Sequence, residues 1–197
     1  MPGRIRRATE DDAKAIADIY KPYVLHSAIS FEIDPPSPDE IRLRVQAVTK
    51  RFPWLVCEDS SGSLRGYAYA SIHRERLAYR WSTDCAIYVD ARRHRRGIGR
   101  GLYTSLFELL RQQGYFNVYA GITLPNEASI GLHTRMGFQP VGTYKNAGFK
   151  LGRWHDVAWL VLALQPPVAQ PSEPCLPEQL TAEIWLDALT SGESLLK

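Results

Sequence analysis

Asp84-Cys-Ala-Ile-Tyr-Val-Asp90-Ala-Arg-Arg-His-Arg-Arg-Gly97-Ile-Gly-Arg-Gly101 is the stretch from which the rest of the 197-residue chain is best read. Cys85–Val89 is a short, continuously apolar run, the pattern of a strand buried on both faces. Asp90 and Ala91 break it, and five arginines, at 92, 93, 95, 96 and 100, crowd around glycines at 97, 99 and 101. From Ile98 the period turns helical: Ile98, Leu102, Leu106 and Leu110 recur at every fourth position, broadened by Tyr103 and Phe107. The segment therefore reads strand, glycine turn, helix. The first amides of such a helix lack intrahelical partners and sit at the positive end of its dipole, which makes them an anion site. Glycine permits positive φ and lets a ligand oxygen approach backbone N–H groups closely. These features point to a polyphosphate-bearing ligand, set against the plainer reading of a solvated arginine-rich bend. No Lys-Ser/Thr follows Gly97 or Gly99, and Leu102 stands where a dinucleotide fingerprint needs glycine. Nucleotide hydrolysis and hydride transfer lose ground accordingly.

Composition sets the outer bounds. With 45% hydrophobic and 23% charged residues the chain is globular, long enough for one domain with a tail left over. A net charge of +3 is too small to argue for nucleic acid. Cys57, Cys85 and Cys175 show neither metal spacing nor a paired framework, which fits a reducing compartment and no bound metal. Met1–Asp12 is charged and lacks an apolar export core, and the longest apolar run, Val157–Leu164, is too short to span a bilayer. A soluble, cytoplasmic protein without membrane contact is expected.

Outward from the central stretch, Arg4–Arg6 reads as a first strand. Thr9 with Asp12 resembles a capping box opening a helix with Ala13, Ile16, Ala17 and Tyr20 on its apolar face, which Pro22 should bend or end. Ser37, Pro38 and Glu40 mark a second helix start, with Ile41, Val45 and Val48 following. Trp54–Glu58 and Leu64–Ile72 read as a hairpin around Asp59–Ser63, and His73–Trp81 as a polar, basic loop. Gly114 ends the central helix, Asn117–Ile122 is a strand, and Glu127–Met136 a short helix stopped by Gly137. Phe138–Tyr144 and Trp154–Leu164 read as closing strands around a loop, Lys145–Arg153. Five prolines between 165 and 177 predict a linker, and Leu180–Leu189 carries an amphipathic pattern that can form one helix. The result is an α/β (α+β) domain over residues 1–164, a mostly antiparallel mixed sheet of about seven strands flanked by about four helices, then a linker and tail over 165–197.

The glycine turn after a buried strand, followed by Asn126, His133 and Met136-Gly-Phe138, resembles the GNAT acetyltransferases. Their coenzyme signature, Gln/Arg-x-x-Gly-x-Gly/Ala, is matched by His94-Arg-Arg-Gly97-Ile-Gly99, with His at the first position. The segments Phe52–Val56, Ala78–Trp81, Leu124–Ser129, Gly148–Lys150 and Arg153–Asp156 are similar to the phosphinothricin and methionine sulfoximine N-acetyltransferases, and the likeness covers residues 4–164. It implies a GNAT fold, acetyl-CoA as cosubstrate, a small glutamate-like amine acceptor and a homodimer.

The resemblance also implies site residues. Acetyl transfer to an amine needs a base, an oxyanion site and a proton for the departing thiolate, and no covalent intermediate. Asp84 falls at the family's strand carboxylate, which is one methylene longer there, and His133 at its helical proton-transfer position; these are the catalytic candidates. Ile87, Tyr88 and Val89 fall where the pantetheine arm runs, and His94, Arg95, Arg96, Gly97, Ile98, Gly99, Arg100 and Gly101 form the pyrophosphate turn. Asn126 would reach the pantetheine, although Pro-Asn before a helix equally predicts an N-cap. Arg74 and Arg76 are candidates for the acceptor's far end, since a guanidinium fork suits a carboxylate or phosphinate. Phe31, Tyr79 and Tyr88 could wall that pocket, with Thr123 and Ala86 shaping it. His155 and Asp156 look like a catalytic pair but read better as a turn or interface device. Two alternatives stay open: the same chemistry on a polyamine, aminoglycoside or protein N-terminus, and a nucleic-acid patch at 92–100, which lacks interleaved aromatics and a reading helix.

Overall fold

The computed structural model describes residues 3–93 and 96–197. Strands β1 (Arg4–Arg7), β2 (Trp54–Glu58), β3 (Leu64–Ile72), β4 (Ser82–Val89), β5 (Asn117–Thr123), β6 (Gln139–Lys150) and β7 (Arg153–Ala163) form one sheet in the order β1-β2-β3-β4-β5-β7-β6. Its helices are α1 (Ala13–His26), α2 (Pro38–Thr49), α3 (Ile98–Gln113), α4 (Glu127–Arg135) and α5 (Ala182–Glu193). Every strand pair is antiparallel except β4–β5, which α3 joins as a crossover. No helix among the described residues is long and apolar enough to cross a membrane.

Strand alternation divides the core in two. Trp54, Val56 and Tyr67 meet Ile16, Tyr20 and Val24 of α1 and Ile41 and Val45 of α2. Their neighbours Leu55, Cys57 and Ala68 point the other way, to Leu102, Leu106 and Leu110 of α3. The cap read at α2 is present in full: Ser37 Oγ accepts from Glu40 N at 3.2 Å, and Glu40 Oε2 accepts from Ser37 N at 2.7 Å.

Three expectations change. Pro22 neither ends nor replaces the last turn of α1, which continues to His26. Val24 is fully buried, the Tyr23 hydroxyl donates to the Val89 carbonyl, and Lys150 Nζ donates to the carbonyls of Val24 and Ser30 at 2.7 Å, so tertiary contacts hold the turn beyond the proline. The expected loop at 145–153 is mostly strand. Register shifts between Tyr144 and Gly148, Asp156 accepts from Lys145 Nζ at 2.8 Å and from Asn146 N at 2.9 Å, and the reversal is confined to Leu151 and Gly152, at φ 50° and 77°. Leucine at a positive-φ hairpin position carries no turn signal, which is why the sequence pattern hid it.

The third change concerns the segment read as a linker. It is laid along the domain: Trp81 Nε1 donates to the Ser172 carbonyl at 2.8 Å, Arg80 pairs with Glu173, and Cys175 N donates to the Gln113 carbonyl at 2.8 Å. Beyond it α5 packs on α3 and β1, burying Trp185 and Ala188 in the same core as Leu106. A Cβ on Gly192 would collide with the Gly101 carbonyl and the Ser105 hydroxyl, so the two helices approach backbone to backbone.

Trp185→Ala should therefore destabilise the whole domain. Loss of a buried tryptophan costs about 3–5 kcal/mol, a fall in Tm of roughly 6–20 °C for a chain of this size. A variant melting within about 2 °C of wild type would show α5 to be a passenger.

Candidate functional site

The parallel β4–β5 ladder is short. It pairs Ser82 with Asn117, Thr83 with Val118 and Asp84 with Tyr119, and goes no further, although both strands continue. Past that rung β4 stays paired with β3 on its other side, as far as Val89. A seam thus opens between β4 and β5, with backbone groups of Cys85–Val89 along one wall. The glycine turn lies at the far end of β4. Gly97 has φ 80°, and the first bond of α3 runs from Gly101 N to the Gly97 carbonyl at 2.8 Å. The amides of Ile98, Gly99 and Arg100 therefore precede the first intrahelical bond. Arg96 and Arg100 are exposed and have no ion-pair partner among the described residues, whereas Arg92 is paired with Asp90. His94 and Arg95 lie outside the described residues.

The glycines of the turn differ in what they face. A Cβ on Gly97 would collide with the Leu195 carbonyl, and one on Gly101 would lie 2.7 Å from the Gly192 carbonyl, so both accommodate the C-terminal segment. Gly99 faces the sheet side, where a Cβ would lie 3.2 Å from Leu132 and 3.7 Å from Ile87.

Asp84 stands at the closed end of the seam. Its Oδ1 is 2.6 Å from His73 Nδ1, just past the end of β3. Burial pushes the Asp84 carboxyl above its ordinary range, against the lowering effects of the His73 hydrogen bond and the charges of His73 and Arg74. The His73 ring stacks on Tyr119, with centroids 4.1 Å apart and planes 12° apart, and meets Tyr79 and Trp159 edge-on at 5.9 and 6.3 Å. Arg74 lies over the Trp159 ring at 5.7 Å and donates to the His73 carbonyl at 2.8 Å. One polar, aromatic cluster thus gathers Asp84, Arg74 and Tyr79 from the expected residues, and His73, Tyr119 and Trp159, which the sequence reading passed over. His73 was legible only through register: Ser71 pairs with Asp84, and His73 is two residues on, on the same face.

His133 is elsewhere. Cys85, adjacent to Asp84 and so on the opposite face of β4, has its thiol 3.5 Å from the Tyr103 hydroxyl, which is 3.1 Å from His133 Nε2. His133 Nδ1 is 2.8 Å from the Ser129 carbonyl, which fixes the proton on Nδ1 and leaves Nε2 to accept from Tyr103. The ring is 3% exposed and packs edge-on against Phe138, and burial lowers its pKa. It ties α4 to α3 behind the sheet.

The remaining candidates distribute as follows. Tyr88 packs among Tyr20, Tyr23 and Tyr67 beneath α1, at 4.7, 5.3 and 5.4 Å. Asn126 caps α4, its Oδ1 accepting from Ser129 N at 3.1 Å. Phe31 lies against Gly148 and His155 of the β6–β7 hairpin, and alternation along β7 puts His155 on the face that carries Trp159. Thr123, paired with Val157, shares that face with Tyr119 and is nearly buried. Ile87 points to the α3 side, toward Gly99. Arg76 is exposed. His155 Nε2 is 3.0 Å from the Lys150 carbonyl and Asp156 holds Lys145, so this pair braces the hairpin. Among the described residues no group of His, Cys, Asp and Glu could hold a metal ion.

Comparison with known proteins bears on the family and the fold. A family model described as an acetyltransferase (GNAT) domain matches residues 5–159. The chain is 39% identical to a phosphinothricin N-acetyltransferase of Streptomyces viridochromogenes, over 80% of this chain and 86% of that one. It is 31% identical to an L-methionine sulfoximine/L-methionine sulfone acetyltransferase of Pseudomonas paraeruginosa, over 87% and 100% of the two chains. A crystal structure of a GNAT superfamily phosphinothricin acetyltransferase from Sinorhizobium meliloti, in complex with AcCoA, superposes with a TM-score of 0.84 at 35% identity, covering 91% of this chain and 98% of that one.

The buried, neutral His133 makes a testable contribution to stability. Its folded pKa lies below the unfolded value of 6.5, so the unfolded chain binds more protons between the two values. Stability conferred by His133 should be complete above pH 6.5 and fall as pH drops below it. Melting curves from pH 8 to 5 should show His133→Gln less stable than wild type near neutrality but with a shallower loss toward acid. Parallel curves for both proteins would refute the assignment.

Proposed function

Because the chain belongs to the GNAT acetyltransferase family, we propose that it moves the acetyl group of acetyl-CoA onto the α-amino group of a small glutamate-like amino acid. The observation that carries this reading is the seam between β4 and β5, with the first amides of α3 at one end and a half-buried carboxylate at the other. The chain's residues fit the coenzyme. The amides of Ile98, Gly99 and Arg100 suit a pyrophosphate, and the exposed guanidinium groups of Arg96 and Arg100 add charge beside them. The edge of β4 from Ile87 to Val89 offers backbone groups to an amide-bearing arm. When bound, acetyl-CoA supplies a thioester carbon open to attack by an amine.

The protein's part is to align that amine and manage its protons. The Asp84 cluster closes the seam where an acyl carbon at the end of the arm would lie, so an acceptor enters from the face bearing Tyr119 and Trp159. Tyr79 and Phe31 flank that face from the 73–79 loop and the α1–α2 link. Arg74, exposed and held over Trp159, is placed to engage the acceptor's carboxylate or tetrahedral end group. His133 acts from behind, keeping α4 and its capping Asn126 against α3. For the expected homodimer, the exposed Val141, Tyr144, Phe149, Leu151 and Trp154 of the β6–β7 hairpin supply an apolar face.

Thiol release from acetyl-CoA, measured across amino acids, glutamate analogues and polyamines, tests the reading. Phosphinothricin, methionine sulfoximine or a close analogue should be acetylated fastest, and an enzyme active only on polyamines would sink the acceptor assignment. Arg74→Ala should raise the acceptor's KM by about 10- to 100-fold, the loss of one charge-assisted contact, and leave the KM of acetyl-CoA nearly unchanged. A coenzyme defect with intact acceptor kinetics would reassign Arg74 to the phosphates.

A further inference from the structure

We infer that His73 is the group that exchanges the acceptor's protons, and that Asp84 acts through it as a positioning carboxylate. The inference rests on the acetyltransferase reading above and assigns the chemistry within that site.

The geometry distinguishes the two roles. At 2.6 Å from His73 Nδ1, Asp84 Oδ1 is committed to a short hydrogen bond. An ionised carboxylate only accepts, so Nδ1 carries the proton and Nε2 keeps its lone pair. Nε2 has no hydrogen-bond partner among the described residues, whereas both ring nitrogens of His133 are engaged. Stacking on Tyr119 and edge contacts from Tyr79 and Trp159 fix the ring plane. Tyr119 is Asp84's partner in the last rung of the parallel ladder, so the imidazole lies over the point where the seam opens. An amine coming directly to Asp84 Oδ1 would have to displace His73. One approaching Nε2 leaves every existing bond in place.

The proton balance closes with one base. The acceptor arrives as an ammonium. His73 Nε2 takes one proton, and the resulting imidazolium, held by the Asp84 carboxylate, passes it to solvent. The amine's lone pair forms the C–N bond as the C–S bond breaks. The nitrogen's second proton travels through Nε2 to the departing thiolate, so amide, thiol and one released proton are the products. The charged and titratable groups around the ring are Asp84 on β4, Arg74 and Tyr79 on its own loop, and Tyr119 on β5.

The test compares wild type with His73→Phe, which keeps an aromatic ring on Tyr119, and Asp84→Asn, using whichever amine wild type acetylates fastest. His73→Phe should lower kcat at neutral pH by about 10²–10⁴-fold. The loss should shrink at alkaline pH, where the acceptor amine is already free, and calorimetric affinity for acetyl-CoA should stay within about twofold. Independently of turnover, ¹⁵N NMR of wild type should show His73 protonated on Nδ1 near neutral pH, with that preference relaxed in Asp84→Asn. Should the Phe variant not fold, His73→Gln replaces it. A folded His73 variant with wild-type kcat and pH profile, or a ring protonated on Nε2, overturns the inference. So does a slow Asp84→Asn beside a normal His73 variant, which would make the carboxylate itself the base. Preference for a polyamine overturns only the acceptor assignment, because the same comparison is then run on that amine. A wild type inert toward every amine overturns both.

Discussion

The three-rung parallel ladder between β4 and β5 is the constraint on which the site depends. A parallel pair needs a long crossover, and here α3 supplies it, so the strand that forms the seam leads through the glycine turn into the helix whose first amides are proposed to hold an anion. Had the ladder continued to Val89, the backbone of β4 would be satisfied on both sides and no arm could pair with it. Because it stops at Asp84 and Tyr119, the edge of β4 beyond that rung has no strand partner on the β5 side, and the last paired residues become the walls at the closed end. The antiparallel β3–β4 pairing holds β4 in place across this gap.

The same turn answers to a second demand. Gly97 needs its positive φ to start α3, and it also admits the Leu195 carbonyl; Lys197 N donates to the Arg96 carbonyl at 3.1 Å. Residues 195–197 thus brace the turn. Glu193 Oε1 accepts from Ile5 N at 2.9 Å, which ties α5 to the sheet edge at β1. A segment beyond the matched family region is therefore part of the scaffold that fixes the glycine turn.

What the sequence made legible was local. The strand-turn-helix at 85–113 and the Ser37/Glu40 cap depend on neighbours within a few residues, and the order and number of strands follow from such segments. What it hid depends on register and docking. His73 looks like one more basic loop residue until β3 and β4 are aligned, and Trp159 looks like core until Gly121 is placed beneath it. His133 occupies the motif position of a proton-transfer residue, yet the packing of α4 on α3 encloses it beside Tyr103 and Phe138. Pro22 and the 145–150 strand mislead for the opposite reason, since distant partners supply what the local pattern lacks.

Trp159 shows how these register effects combine. It pairs with Gly121, and a Cβ there would lie 3.3 Å from the indole, so the missing side chain lets the ring lie close to β5. One face or edge of that indole then meets His73, Arg74 and Tyr144 at 6.3, 5.7 and 5.7 Å. The Arg74 guanidinium and the His73 imidazole, the groups proposed for the acceptor and its proton, are thereby held by one rigid ring with only two rotatable bonds. Alignment of an amine with an acyl carbon is where much of such an enzyme's rate arises, and it fails if the binding group and the base move independently. Arg74 and His73 are consecutive in the chain and share the indole as well as the bond from Arg74 to the His73 carbonyl. A bulkier residue at 121 would displace both together. The glycine on β5 thus sets where the indole lies, and with it the positions of the groups proposed for acceptor binding and proton exchange.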